Sequence, residues 1–350
     1  MQKFHVLNAF AITAAALTIV PAAQAADFSG KQVQLIVASN PGGGTDRVGR
    51  LMAQYISNYL PGKPKIVVKN TGSGGGKIRG ANLLAKAKAD GLTIIQSDGS
   101  TLQPTTLKRK SVRYDPTKFR AIGAINRGGS ILFMRKEAVP RLMDKSKKPA
   151  IIAAISGSRS WQAMPMWGAE FLGWNAKWIP GYKGSGSMTK ALRQGEVDAF
   201  ATNNVYIIDE LVKDGVVDLV VQVGQPTDDG YAPRDSYPKV PLFPDMIKKA
   251  KLTKTQWQAY TSLVNPSLID KWMGLTQGTP EDLVAAWRSA YAAAYKDPGL
   301  KKVFSKEFSK DLTFISGKRV EQMIAEVSGV PDAAVQYSIA LKKKYGLSAR

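Results

Sequence analysis

Residues 35–59 read LIVASNPGGGTDRVGRLMAQYISNY, and this stretch decides the fold. Leu35, Ile36 and Val37 form a short β-type run. Pro41, Gly42, Gly43 and Gly44 then interrupt both strand and helix. Val48, Leu51, Met52, Tyr55, Ile56 and Tyr59 follow at helical spacing, with Arg47, Arg50, Gln54 and Asn58 on the opposite face. Strand, glycine turn and helix in this order predict a βα unit. Glycines ahead of a helix start let the backbone approach a ligand, with free N–H groups and the positive end of the helix dipole aimed at it. Two readings stand: an anion cradle, or a tight βα turn with no ligand.

The same alternation continues along the chain. Strands are predicted over residues 66–68, 93–96, 121–125, 131–134, 151–155, 199–202 and 219–223. Helices are predicted over 78–88, 165–172 and 187–194, and a long helix runs to Tyr295. That last helix has Thr279 as its cap, Pro280 at its first position and Glu281 and Asp282 in its first turn. The pattern predicts an α/β fold. Its 350 residues suffice for two domains at about 100–200 residues each. Residues 225–244 are rich in Pro, Asp and Gly and read as a loop or return connection. The expected division is 26–125 plus 225–350 as a discontinuous first domain, and 126–224 as the second.

Residues 1–25 carry Lys3, an apolar run over 9–20 and an A-x-A site at Ala23-Gln24-Ala25, and read as a cleavable signal peptide. No other stretch is apolar enough to span a bilayer. The mature chain is therefore expected in the periplasm, not embedded in a membrane. There is no cysteine, and the single histidine, His5, lies in the leader. Nucleophilic machinery of the Ser-His-Asp and Cys-His kinds is excluded, as are zinc sites of Cys/His type. The chain is expected not to be an enzyme and to need no cofactor or metal.

Of 49 Lys and Arg, one lies in the leader; against 27 Asp and Glu the mature chain carries +21. A balance of this size concentrates anions near the surface and speeds their capture. The basic residues are spread along the chain rather than gathered in one arm, which argues against nucleic acid and for an acidic small molecule.

Several loops at expected strand ends carry candidate ligand groups. Asn40, Gly42, Gly43, Gly44, Thr45 and Asp46 form the first loop; Asp46 serves either the ligand or only the loop, as a cap. Asp98 and Ser100 follow the strand 93–96, at the kind of carboxyl end where ligands of open α/β sheets sit. Ser156, Gly157, Ser158, Arg159 and Trp161 follow 151–155, where Arg159 offers a two-pronged carboxylate grip and Trp161 a stacking face. Tyr182 and Lys183 lie on a glycine-rich turn, and Asn203 ends the strand 199–202. Residues 70–77 imitate a phosphate-binding loop, but Thr71 replaces its first glycine and Ile78 its magnesium-binding hydroxyl, so no nucleotide is expected.

Seven motifs then fall in a telling order: Pro41-Gly42-Gly43-Gly44-Thr45-Asp46, Gly72-Ser73-Gly74-Gly75 with Gly80, Asp90-Gly91-Leu92-Thr93, Tyr114-Asp115-Pro116 with Phe119, Tyr182-Lys183-Gly184, Gly195-Glu196-Val197-Asp198 and Gly278-Thr279-Pro280. Over residues 31–304 the chain resembles the substrate-binding receptors of tripartite tricarboxylate transporters, the Bug proteins. The resemblance implies a periplasmic flytrap fold: two α/β domains with mixed sheets flanked by helices and a ligand cleft between them. It implies a monomeric receptor that closes on a small organic carboxylate and hands it to membrane transporter subunits. Residues 40–46 and 156–161 stand where the family's two carboxylate loops would be. Arg159, Arg47 and Lys183 with Trp161 and Tyr182 favour an aromatic or multiply charged carboxylate. The chain departs from the pattern at Ala38-Ser39-Asn40, in its bulkier second loop and over 225–272. Alternatives are a periplasmic partner of a sensor kinase, an enzyme on the same scaffold using Asp46 or Asp98, and a polyanion-binding surface protein.

Overall fold

A computed structural model describes residues 26–72, 76–103, 109–154, 164–182, 184–227 and 230–347. The expected leader, the loop residues Ser73 to Gly75, the candidates Ser156, Gly157, Ser158, Arg159 and Trp161, and Lys183 lie outside the described residues.

The first βα unit forms as the sequence dictates: β1 (Gln32–Val37) runs into the helix Gly44–Tyr59. Next come β2 (Lys65–Asn70), β3 (Thr93–Ser97), β4 (Arg120–Asn126), β5 (Ile131–Arg135), β6 (Ala150–Ala153) and β7 (Ala176–Ile179). After them come β8 (Ala199–Thr202), β9 (Val217–Gln222), β10 (Gln225–Thr227), β11 (Gly230–Ala232), β12 (Lys271–Leu275) and β13 (Thr313–Ser316).

These strands make two mixed sheets flanked by helices, plus the β10–β11 hairpin. One sheet has the order β13-β4-β12-β3-β1-β2, the other β7-β6-β8-β5-β9. In the first, β1 is parallel to β2 and β3, while β12 is inserted antiparallel between β3 and β4. In the second, β6 is parallel to β7 and β8, and β5 is antiparallel to β8 and β9. The six-stranded sheet draws on chain before β5 and after β11, so the chain crosses between the sheets at each side of the five-stranded one.

Side-chain alternation distributes the cores. Leu35 and Val37 face a core made with Met52 and Ile56 of the first helix and Trp287 and Tyr291 of the helix Glu281–Lys296, while Ile36 faces the other way. Ile131 and Phe133 of β5 likewise separate from Leu132 and Met134. The core containing Ile36 and Leu132 runs continuously from one sheet to the other. Aromatic pairs build its middle: Trp167 meets Tyr260 edge-on at 5.5 Å, and Trp174 lies 5.6 Å from Phe243.

Three local expectations are revised. Residues 225–244 are not plain loop: β10 and β11 pair, and a helix starts at Phe243. Paired runs of three residues, none of them buried, leave no periodicity to read. The last long helix takes Pro280, not Thr279, as its cap residue, because the Thr279 hydroxyl donates to the Thr276 carbonyl. And β12 was absent from the expected strands. Its residues KWMGL are buried throughout and show no alternation. Among the described residues no helix is long and apolar enough to cross a membrane.

Candidate functional site

One edge of the six-stranded sheet gathers the carboxyl ends of β1, β3 and β4 with the start of β12. Register fixes this: Trp272 pairs with Ser97, and Lys271 with Ile125. The facing edge of the other sheet offers Ser130 before β5 and Asn203 after β8, whose strands pair Ile131 with Thr202. Between them lies a cavity of about 190 Å³ lined by Lys77, Asp98, Arg127, Asn203, Asp270 and Lys271, among others. A second of about 140 Å³ adjoins it, sharing Arg127, Asp270 and Lys271 and adding Gly44, Thr45, Val48 and Phe308.

The first loop is held from within. Gly42 turns the chain at φ +76°. Its N–H donates to Asp46 Oδ2 at 2.8 Å, Asn70 Nδ2 donates to Oδ1 at 2.8 Å, and Arg50 Nε pairs with the same carboxylate at 3.0 Å. Burial opposes the charge of Asp46, yet these donors hold its carboxyl below the usual range. Asp46 is thus occupied inside its own loop, and Gly44 and Thr45 line the cavity. The first N–H groups of the helix have no intrahelical acceptor and stand at its positive end.

The second loop is anchored on Asp98. Its side chain caps the short 3-10 turn Gly99–Leu102 by accepting from Ser100 N at 3.0 Å, takes Lys77 Nζ at 2.7 Å and meets Thr45 Oγ1 at 3.5 Å. Lys77 also donates to Ser100 Oγ at 2.8 Å. Gly99 is required by close approach: a Cβ there would sit 1.6 Å from the Pro266 carbonyl oxygen. Burial works against the Asp98 charge, but Lys77 and then Lys271 outweigh it and keep the carboxyl low.

The third element is a triad that the motifs did not reveal. Arg127, just after β4, sets two guanidinium nitrogens on Asp270, with Nη2 to Oδ1 at 3.0 Å. Lys271 Nζ donates to Asp270 Oδ1 at 2.7 Å and to its carbonyl at 3.0 Å. Asp270 is desolvated, yet Arg127 and Lys271 hold its carboxyl well below the ordinary range. Asp270 in turn raises the Arg127 guanidinium. Three cations surround two carboxylates, so the cavity walls carry a positive excess.

Of the sequence candidates among the described residues, Gly44, Thr45, Asp98, Ser100 and Asn203 line these cavities. Asn40, Gly42, Gly43 and Asp46 shape the first loop without lining either. Tyr182 packs on the core of the second sheet. Lys77, Arg127, Asp270 and Lys271 were not among the candidates. The signal for Arg127 was present: Arg127-Gly128-Gly129 after a strand repeats the pattern that marked the other loops.

No family model matches the chain. Protein BugT of Bordetella pertussis is 32% identical over 100 residues, covering 29% of this chain and 30% of that protein. A UPF0065 protein of the same organism is 29% identical over 208 residues, covering 57% of this chain and 62% of that protein. A TctC solute-binding protein from Polaromonas superposes with a TM-score of 0.67 at 17% identity, over 89% of this chain and 98% of that one. The chain is similar in sequence to Bug and UPF0065 proteins and in fold to a TctC solute-binding protein and to BugD. BugD matches with a TM-score of 0.53 at 20% identity, over 91% of this chain and 99% of its own. An R. palustris protein solved with adipate matches at 0.56 and 19%, over 92% and 99%. The expected fold class is borne out by these structures. The sequence matches span less than two thirds of the curated relatives' length.

Proposed function

We propose that the chain is a periplasmic solute-binding receptor that captures a small organic carboxylate between its two sheets and presents it to a membrane transporter. The observation that carries this reading is the positive excess of Lys77, Arg127 and Lys271 around a cavity walled by loops of both sheets. Cations and helix-start amides at one place form a carboxylate site. Relatives of this fold solved with adipate and with malate support the ligand class.

In this reading the sheets are the cores of two domains, 26–125 with 225–350 and 126–224. Ligand binding draws them together, because each supplies part of the contact set and only the closed state has both. The reading is non-catalytic. Asp98 and Asp270 are neutralised by direct ion pairs and held at low pKa, whereas a general acid or base works best with a pKa near the operating pH.

A thermal-shift screen over mono-, di- and tricarboxylic, amino and aromatic acids tests it. A ligand that binds only the folded state raises Tm by mass action, equivalent to about 2.7 kcal/mol at a hundredfold excess over Kd. The expected result is a saturable rise with at least one carboxylate. No rise with any acid contradicts the proposal.

A further inference from the structure

We infer that Asp98, by neutralising Lys77 inside the cleft, is a specificity-determining residue that disfavours ligands carrying a second carboxylate. The inference rests on the carboxylate reading of the same site and narrows it.

Accounting of donors carries the argument. The Lys77 ammonium has three N–H groups, and Asp98 at 2.7 Å and Ser100 at 2.8 Å occupy two of them. Lys271 gives two to Asp270, and Arg127 gives Nε and Nη2 to the same carboxylate. What the three cations keep for a ligand is one N–H on each lysine and the outer part of one guanidinium, beside neutral donors at the Gly44–Thr45 helix start and Asn203. Three cations against two carboxylates leave one net positive charge, which matches one ligand carboxylate.

Asp98 also differs from Asp270 in its reach. Asp270 is enclosed by its own two cations. Asp98 binds Lys77 directly and acts through space on both Lys271 and Arg127, so it lowers the attraction of all three toward an anion. It is held ionised by those cations, which makes the negative charge a fixed part of the wall. Each ligand carboxylate meets that charge, and a dianion meets it twice. Two like charges about 6 Å apart repel by about 3 kcal/mol at an effective dielectric constant of ~20, which is about a hundredfold in affinity.

Titration calorimetry on matched acids tests this: hexanoate against adipate, and benzoate against terephthalate, on the parent chain and on Asp98→Asn. Asparagine keeps the size and an acceptor oxygen while removing the charge. The expected result is that Asp98→Asn strengthens both acids of a pair, and the dicarboxylate by at least about tenfold more than the monocarboxylate. Lys77→Met supplies the opposite arm, and should weaken the dicarboxylate more than its partner acid. A ratio of dicarboxylate to monocarboxylate affinity that both substitutions leave unchanged overturns the inference alone, as does a weaker dicarboxylate in Asp98→Asn. Should none of the four acids bind any of the three proteins, the carboxylate reading falls and takes the inference with it. Folding of each variant is read from its own melting curve, and the Lys77 arm decides the matter should Asp98→Asn fail to fold.

Discussion

Arg127 with Asp270 and Arg234 with Asp311 are one chemical pair in two settings. The Arg234 side chain is fully buried, with Nε and Nη2 on Asp311 at 3.0 and 2.9 Å and Nη1 on the Gly129 carbonyl at 3.1 Å. Its own N–H reaches Gln222 Oε1 at 2.9 Å. It therefore ties together the segment between β4 and β5, the end of β9 and the approach to β13, where the chain passes between the sheets. Arg127 is about a third exposed, lies on two cavities and keeps part of its guanidinium outside its ion pair. What separates a brace from a site is whether the guanidinium is sealed from solvent or open to a cavity. Burial works on Arg234 in the same sense, lowering its pKa, whereas Asp270 raises that of Arg127.

The sharpest way to break the contrast is to cut each pair. Arg234→Leu leaves Asp311 buried and uncompensated, and should cost about 3–5 kcal/mol by urea denaturation. A loss below about 1 kcal/mol would place this pair with the surface bridges instead. Arg127→Met should act on the ligand more than on the fold. Carboxylate affinity should fall about 10–100-fold in a calorimetric titration, the size of a charged hydrogen bond worth about 1.5–3 kcal/mol.

Gly99→Ala probes the seat of the Asp98 loop. The added Cβ would overlap the Pro266 carbonyl, so the loop must shift, at about 1–2 kcal/mol in stability and with weaker binding. Unchanged melting and affinity would show that the loop is not seated there.

The smallest effect concerns acid. The folded-state carboxyls of Asp46, Asp98 and Asp270 lie below their ordinary range. Such groups stabilise the fold above the unfolded pKa and lose that contribution as pH falls through the folded one, here from about pH 4 downward. Urea midpoints at about pH 5 and about pH 3 should therefore differ, and Asp46→Asn should narrow the difference. An equal drop in parent and variant would remove Asp46 from the account.

The first βα unit was legible because three signals agree there: an apolar run, a Pro-Gly turn and a 3.6-residue period. Its glycine loop and Asp98 could be placed at strand ends from order alone. The triad could not, since Arg127 and Asp270 are 143 residues apart and meet only through the insertion of β12 beside β4. A buried strand without alternation hides both itself and the side chains at its start. Lys77 was hidden differently. Its loop imitates a phosphate site that the neighbouring residues rule out, and its partner Asp98 comes from another strand.

The central claim is that a ligand carboxylate lies between the sheets against Arg127 and Lys271. A crystal structure with the acid that most raises Tm tests it directly. The account predicts a carboxylate oxygen within about 3 Å of Arg127 or Lys271, bridged to the Gly44–Thr45 helix start or to Asn203. An acid bound elsewhere on the molecule, with those residues still paired only to Asp270, would contradict it.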